Sequence, residues 1–111
     1  MGHNKRYRLL LLRSQAVLSQ WDGDAAQGIN HLQAALVLAQ TIGLPGEEWM
    51  ILGALGELYL QQGNEEMAQE AYQKAAVIIH RLADTIDEED LREGYLSANL
   101  VRSILELSKD T

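Results

Sequence analysis

Leucine, isoleucine, valine and alanine recur along this chain at steps of three and four, the spacing that gathers side chains onto one face of an α-helix. Leu9, Leu12 and Ala16 open the pattern and predict a helix from about Tyr7 to Trp21, leaving Met1-Gly2-His3 outside it. "WDGD" interrupts it: Gly23 suits a left-handed helix end and Asp24 suits the next N-cap. Ile29, Leu32, Ala35, Leu36 and Ala39 then predict a second amphipathic helix, from about Ala25 to Ile42. "TIGLPGEE" stops that one, because Gly43 can close it and Pro45 disfavours an α conformation at Leu44. A third helix is expected from Glu47 to Gln62, and after "QGN" a fourth, capped by Asn64, from there to about Ile86.

The C-terminal stretch is patterned differently. Asp87 offers a cap and acidic residues follow where a helix dipole favours them, so a short helix is predicted from Glu88 to Tyr95. Gly94 and Ser97 mark a break, and a last helix runs from Ala98 to Leu107. Its stripe of Leu100, Ile104 and Leu107 has to pack on something, and the open flank of the third and fourth helices is the nearest surface. The predicted organisation is therefore all-α: one hairpin over 7–42, a second over 46–86, and capping helices over 87–108.

Composition narrows the class. The 111 residues are 47% hydrophobic with a single proline and no phenylalanine, a balance that suits one helical domain rather than a disordered segment or a sheet. A net charge of −7 opposes a phosphate backbone or an anionic bilayer, so nucleic acid and membrane are not expected partners. "KRYRLLLLR" has the basic-then-apolar order of a signal peptide. Its apolar run is only four leucines before Arg13, and the pattern then continues at helical spacing, which reads as a helix of the folded domain. No stretch approaches the roughly 20 apolar residues that span a bilayer. The absence of cysteine excludes disulfides and thiolate chemistry and permits a reducing compartment, so a cytoplasmic location is the expectation.

The two predicted hairpins align with each other. Setting Gly23-Asp24 over Gly63-Asn64 places Leu12 over Leu52, Ala16 over Gly56, Gly28 over Ala68, Leu32 over Tyr72 and Ala35 over Ala75, at a period of 40 residues. Small residues at matched places predict a shared packing scheme in which Gly56 and Ala68 mark the close approach of the third and fourth helices, with Tyr59 and Tyr72 filling around them. Leu52, Leu55, Gly56, Tyr59, Gly63, Ala68, Tyr72 and Ala75 together resemble the signature of a tetratricopeptide repeat. The first unit is similar but degenerate, keeping Leu12, Ala16, Gly23, Gly28 and Ala35 while carrying Gln15 and Ser19 where the family has Leu and Tyr. His80 replaces the family's usual Pro, and the period exceeds the usual 34 or so. Over about residues 9–86 the chain resembles the long tandem repeats near the C-termini of large bacterial signalling ATPases and transcriptional regulators.

Catalytic and cofactor motifs are missing: there is no phosphate-binding loop, dinucleotide fingerprint, H-E-x-x-H or G-x-S-x-G. His3, His31 and His80 are far apart in sequence, and the acidic runs at Glu47, Glu65 and Asp87 fall at predicted helix starts. No enzyme activity, metal or cofactor is expected. The resemblance instead implies a protein-interaction scaffold whose groove is lined by the first helix of each unit. Carried over residue by residue, those positions are Arg13, Val17, Gln20 and Trp21 in the first unit and Met50, Ala54, Glu57 and Gln61 in the second. Of the Lys and Asn pair that grips a chaperone's C-terminal carboxylate in some members, Arg13 could stand for the Lys, but Val17 cannot replace the Asn and Glu57 would repel a carboxylate. Trp21 and Met50 suit either an apolar peptide or a neighbouring repeat or subunit. The expected partner is thus a protein or peptide segment, with homo-oligomerisation through the groove or the first helix as the alternative. Leu9, Leu10, Leu11 and Leu12 make that first helix apolar on more sides than one neighbour can cover.

Overall fold

A computed structural model describes residues 2–109, with side chains placed at 7–19 and 21–109. Six helices follow in order: α1 (Gly2–Trp21), α2 (Ala25–Ile42), α3 (Pro45–Gln61), α4 (Glu65–Asp84), α5 (Glu89–Ser97) and α6 (Asn99–Leu107). No strand occurs among the described residues, and no helix there is long and apolar enough to cross a membrane. The first helix begins five residues before the expected Tyr7, taking in Gly2 and His3.

The turns are the clearest internal repeat. Gly23 has φ 78° and Gly63 φ 77°, a left-handed conformation that glycine adopts without penalty. The following Asp24 (φ −99°, ψ 76°) and Asn64 (φ −96°, ψ 79°) match equally closely. Each caps its helix with a side-chain oxygen, Asp24 accepting from Gln27 N at 3.1 Å and Asn64 from Met67 N at 3.2 Å. The backbone bonds match too, with Asp24 N donating to Ser19 O at 2.8 Å and Asn64 N to Tyr59 O at 2.9 Å. Two turns at a 40-residue offset therefore have one geometry, as the sequence alignment expects. Between them Gly43 closes α2, and Pro45 takes the first helical position of α3, where its missing N–H costs nothing.

Connections this short leave consecutive helices side by side, and α1 packs on α2, α2 on α3 and α3 on α4. The molecule is 41 × 41 × 19 Å; the short dimension is about two helix diameters, so it forms a two-layer slab. The core is built from Leu9, Ala16, Ile29, Leu32, Ala35 and Ala39 on the first pair and Leu52, Leu55, Leu58, Tyr59, Ala68, Tyr72, Ala75 and Ile79 on the second. The Tyr59 hydroxyl accepts a hydrogen bond from Gln33 Nε2 at 2.9 Å, which ties α2 to α3.

The structure changes three details of the C-terminal reading. The break lies at Ala98, whose ψ of 140° is extended, and Gly94 sits inside α5. The N-cap of α5 is Glu88 rather than Asp87, and it makes no side-chain cap bond. That stretch is held instead by Arg92, which donates from Nε and Nη2 to the Ile86 carbonyl at 3.1 and 2.7 Å. Finally, α6 is rotated from the predicted stripe: Val101 and Ile104 are buried while Leu100 and Leu107 are exposed. A nine-residue helix fits either set of positions at helical spacing, and the docking surface selects between them. That surface is α4, with α5 alongside, and Gln69 Nε2 donates to the Ser108 carbonyl at 2.7 Å.

Candidate functional site

One face of the slab is lined by α1, α3 and α6, and it is concave. A cleft of about 520 Å³ there is bordered by Arg13 of α1, by Met50, Gly53, Ala54, Glu57 and Leu60 of α3, by Tyr72 behind them, and by Leu100, Ser103, Ile104 and Leu107 of α6. A smaller cleft of about 300 Å³ adjoins it, where Leu10, Arg13, Ser14 and Val17 face Ala54. The groove is shaped by small residues on α3. A Cβ at Gly53 would stand 2.7 Å from Ile104 Cδ1, so its absence lets α6 lie close.

Gly56 works in the same way one turn on. A Cβ there would lie 2.6 Å from Tyr72 Cζ and 2.7 Å from Cε1. The small residue therefore leaves room for the Tyr72 ring from α4. Burial pushes the Tyr72 phenol up from its ordinary value, and the Glu57 carboxylate adds to that. A tyrosine whose folded pKa is raised stabilises the fold fully below its unfolded value near 10, and that contribution is lost as pH climbs through the folded value. Tyr72→Phe is accordingly expected to flatten the fall in thermal midpoint above about pH 10, measured by circular dichroism melts. An alkaline profile unchanged by the substitution would contradict this.

Electrostatically the groove is simple. Arg13 is committed to an ion pair with Glu47 at the start of α3, joining the first and third helices. Glu57 is exposed and makes no ion pair among the described residues. The cleft thus presents apolar walls and one open carboxylate. Among the described residues no three His, Cys, Asp or Glu side chains gather as a metal site.

Of the positions carried over from the repeat resemblance, Arg13, Val17, Met50, Ala54 and Glu57 come together along these two clefts. Trp21 is 84% exposed at the end of α1, and Gln61 is exposed at the end of α3; neither lines them. The side chain of Gln20 lies outside the described residues. Sequence reasoning missed Gly53, Leu60, Leu100 and Leu107. Only the last helix held a signal for them, because its Ile104 fits two stripes at once, one with Leu100 and Leu107 and one with Val101. A further cleft of about 580 Å³ lies beside Pro45, Trp49, Met50, Leu82 and Tyr95. There the Tyr95 hydroxyl is buried close to the Trp49 side chain, and burial pushes its pKa up while the polar contact with Trp49 works against that. The chain matches no family model, no curated protein and no solved structure.

Proposed function

We propose that this chain is a non-catalytic interaction scaffold of the tetratricopeptide-repeat kind, whose concave face binds an apolar peptide segment carrying a basic side chain. The observation that carries this reading is the cleft between α1, α3 and α6, where exposed Leu60, Leu100 and Leu107 line the walls with the Glu57 carboxylate, which makes no ion pair among the described residues. Such a surface rewards burial of aliphatic side chains at about 25 cal/mol per Å² and penalises an acidic ligand. The matched turns, the Gly56–Tyr72 contact and the Gln33–Tyr59 bond support the repeat assignment. In this reading the scaffold belongs to a longer regulatory protein of the bacterial cytoplasm.

The test uses two fluorescein-labelled peptides that share a leucine pattern and differ only in carrying lysine or glutamate between the leucines. Fluorescence polarisation is expected to show binding of the lysine peptide alone. Ala54→Trp, which fills the cleft floor, and Glu57→Lys, which reverses its charge, should each weaken that binding by about tenfold or more, a difference of about 1.4 kcal/mol. Equal binding of both peptides, or binding indifferent to both substitutions, would remove this face from consideration.

A further inference from the structure

Helix α1 has two apolar faces, and α2 covers only one. Leu9 and Ala16 are buried and Leu12 is half-buried against the core. On the other side Tyr7, Leu10, Leu11, Val17, Leu18 and Trp21 are all large, apolar and 46–84% exposed, and Ser14 lies at their centre. Successive steps of four and three residues link Tyr7, Leu11, Ser14, Leu18 and Trp21, which is the seam spacing of paired helices.

We propose that this face binds the same face of a second copy, the two α1 helices running antiparallel about a two-fold axis at Ser14. The register follows from the sequence. With Ser14 on the axis, Tyr7 stands opposite Trp21 of the second copy, Leu10 opposite its Leu18, and Leu11 opposite its Val17, so every large apolar residue of the stripe meets another. Ser14, the one small residue, meets itself where the helices come closest. The flanks are charge-complementary as well: Arg8 falls within one helical turn of Asp22 of the second copy, and symmetry makes that contact twice.

A parallel pairing of the same stripe would instead hold Arg8 about four helical turns from Asp22 of the second copy and on the opposite flank of the seam, and would align the two helix dipoles. From their sizes and fractional exposures, the six side chains present on the order of 700 Å² per copy, against about 800 Å² a side in a standard interface. Isologous two-fold contacts are also the commonest solution for a self-complementary patch. The contact leaves Leu60, Leu100 and Leu107 of the larger cleft open, and takes in Leu10, Ser14 and Val17, which border the smaller one.

The native chain has no cysteine, so an introduced thiol is unique. Sedimentation over a concentration series is expected to approach twice the chain mass, and Leu11→Glu with Leu18→Glu to return the monomer with its helicity intact. Short bismaleimides should link Ser14→Cys to itself across axes about 8–10 Å apart. They should link Leu10→Cys chains only when mixed with Leu18→Cys chains. Arg8→Asp is expected to weaken the dimer about tenfold, and adding Asp22→Arg to restore it. A monomer at every concentration overturns the proposal. So does a dimer that survives the paired Glu substitutions, or one in which Leu10→Cys links to itself as readily as Ser14→Cys does.

Discussion

Gly56→Val is expected to lower the thermal midpoint by roughly 10–15 °C, from an overpacking cost of about 2–3 kcal/mol in a chain of this length. A methyl-sized atom on Gly56 would sit 2.6 Å from the Tyr72 ring, well inside van der Waals contact. The ring is 5% exposed and cannot swing into solvent to yield. Replacing glycine inside a helix ordinarily stabilises it, by up to about 1 kcal/mol for a good helix former and less for a β-branched residue. The sign of the measured change therefore separates the two effects: a net loss shows that packing against Tyr72 dominates. A double-mutant cycle sharpens the result, because Tyr72→Ala vacates the space that the valine needs. The combined variant should be less destabilised than the two single losses added together. A Gly56→Val chain that melts at or above the parent's midpoint would mean the ring and the glycine are not in contact.

That contact shows what the sequence could and could not convey. The comb of Gly56, Tyr59, Ala68 and Tyr72 marks a place where small and large residues share a helix interface, and all four are buried. It does not state which large residue covers which small one, since Ala68 and Tyr72 both recur on the same face of α4. Caps and turns were more fully legible, because Asp24, Asn64, Gly23 and Gly63 act through their own backbones and nearest neighbours. A local rule suffices there.

Contacts between distant elements left weaker traces. Nothing in "EWMILGALGEL" distinguishes Gly53 from any other helical glycine until Ile104 is found above it. Glu47 fits a helix N-terminus whether or not Arg13 reaches it. On α1 the four consecutive leucines announced more than one apolar face, and the structure divides them, with Leu9 in the core and Leu10 and Leu11 in the open. On α6 periodicity offered two stripes of nearly equal quality. The groove depends on the choice, because burying Val101 and Ile104 turns Leu100 and Leu107 toward the cleft. Helical spacing groups positions onto faces; the neighbouring surface decides which face is buried.

The largest expected loss follows from removing α5 and α6. Truncation before Asp87 deletes Val101 and Ile104, both at most 3% exposed, and burial of each is worth about 1.5–3 kcal/mol. It also strips the cover from Gly53 and removes Tyr95, which shares a cleft with Trp49 and Leu82. The combined loss is comparable to the roughly 5–15 kcal/mol by which a domain of this size is stable at all. The truncated chain should therefore lose its cooperative melt, bind a hydrophobic dye and aggregate, as a helical stack does without a terminal cap. Ile104→Asp in the untruncated chain separates docking from chain length, because it places a charge at a 2% exposed site and leaves every other residue present. The chain carries its own reporter for this step. Its two tryptophans differ sharply, Trp49 being 7% exposed and Trp21 84%, so Trp21→Phe leaves a single buried indole next to α5. Its emission should shift to the red in the Ile104→Asp variant. A truncated chain that melts cooperatively at the parent's midpoint, or an emission unmoved by Ile104→Asp, would mean that α3 and α4 stand without the C-terminal pair.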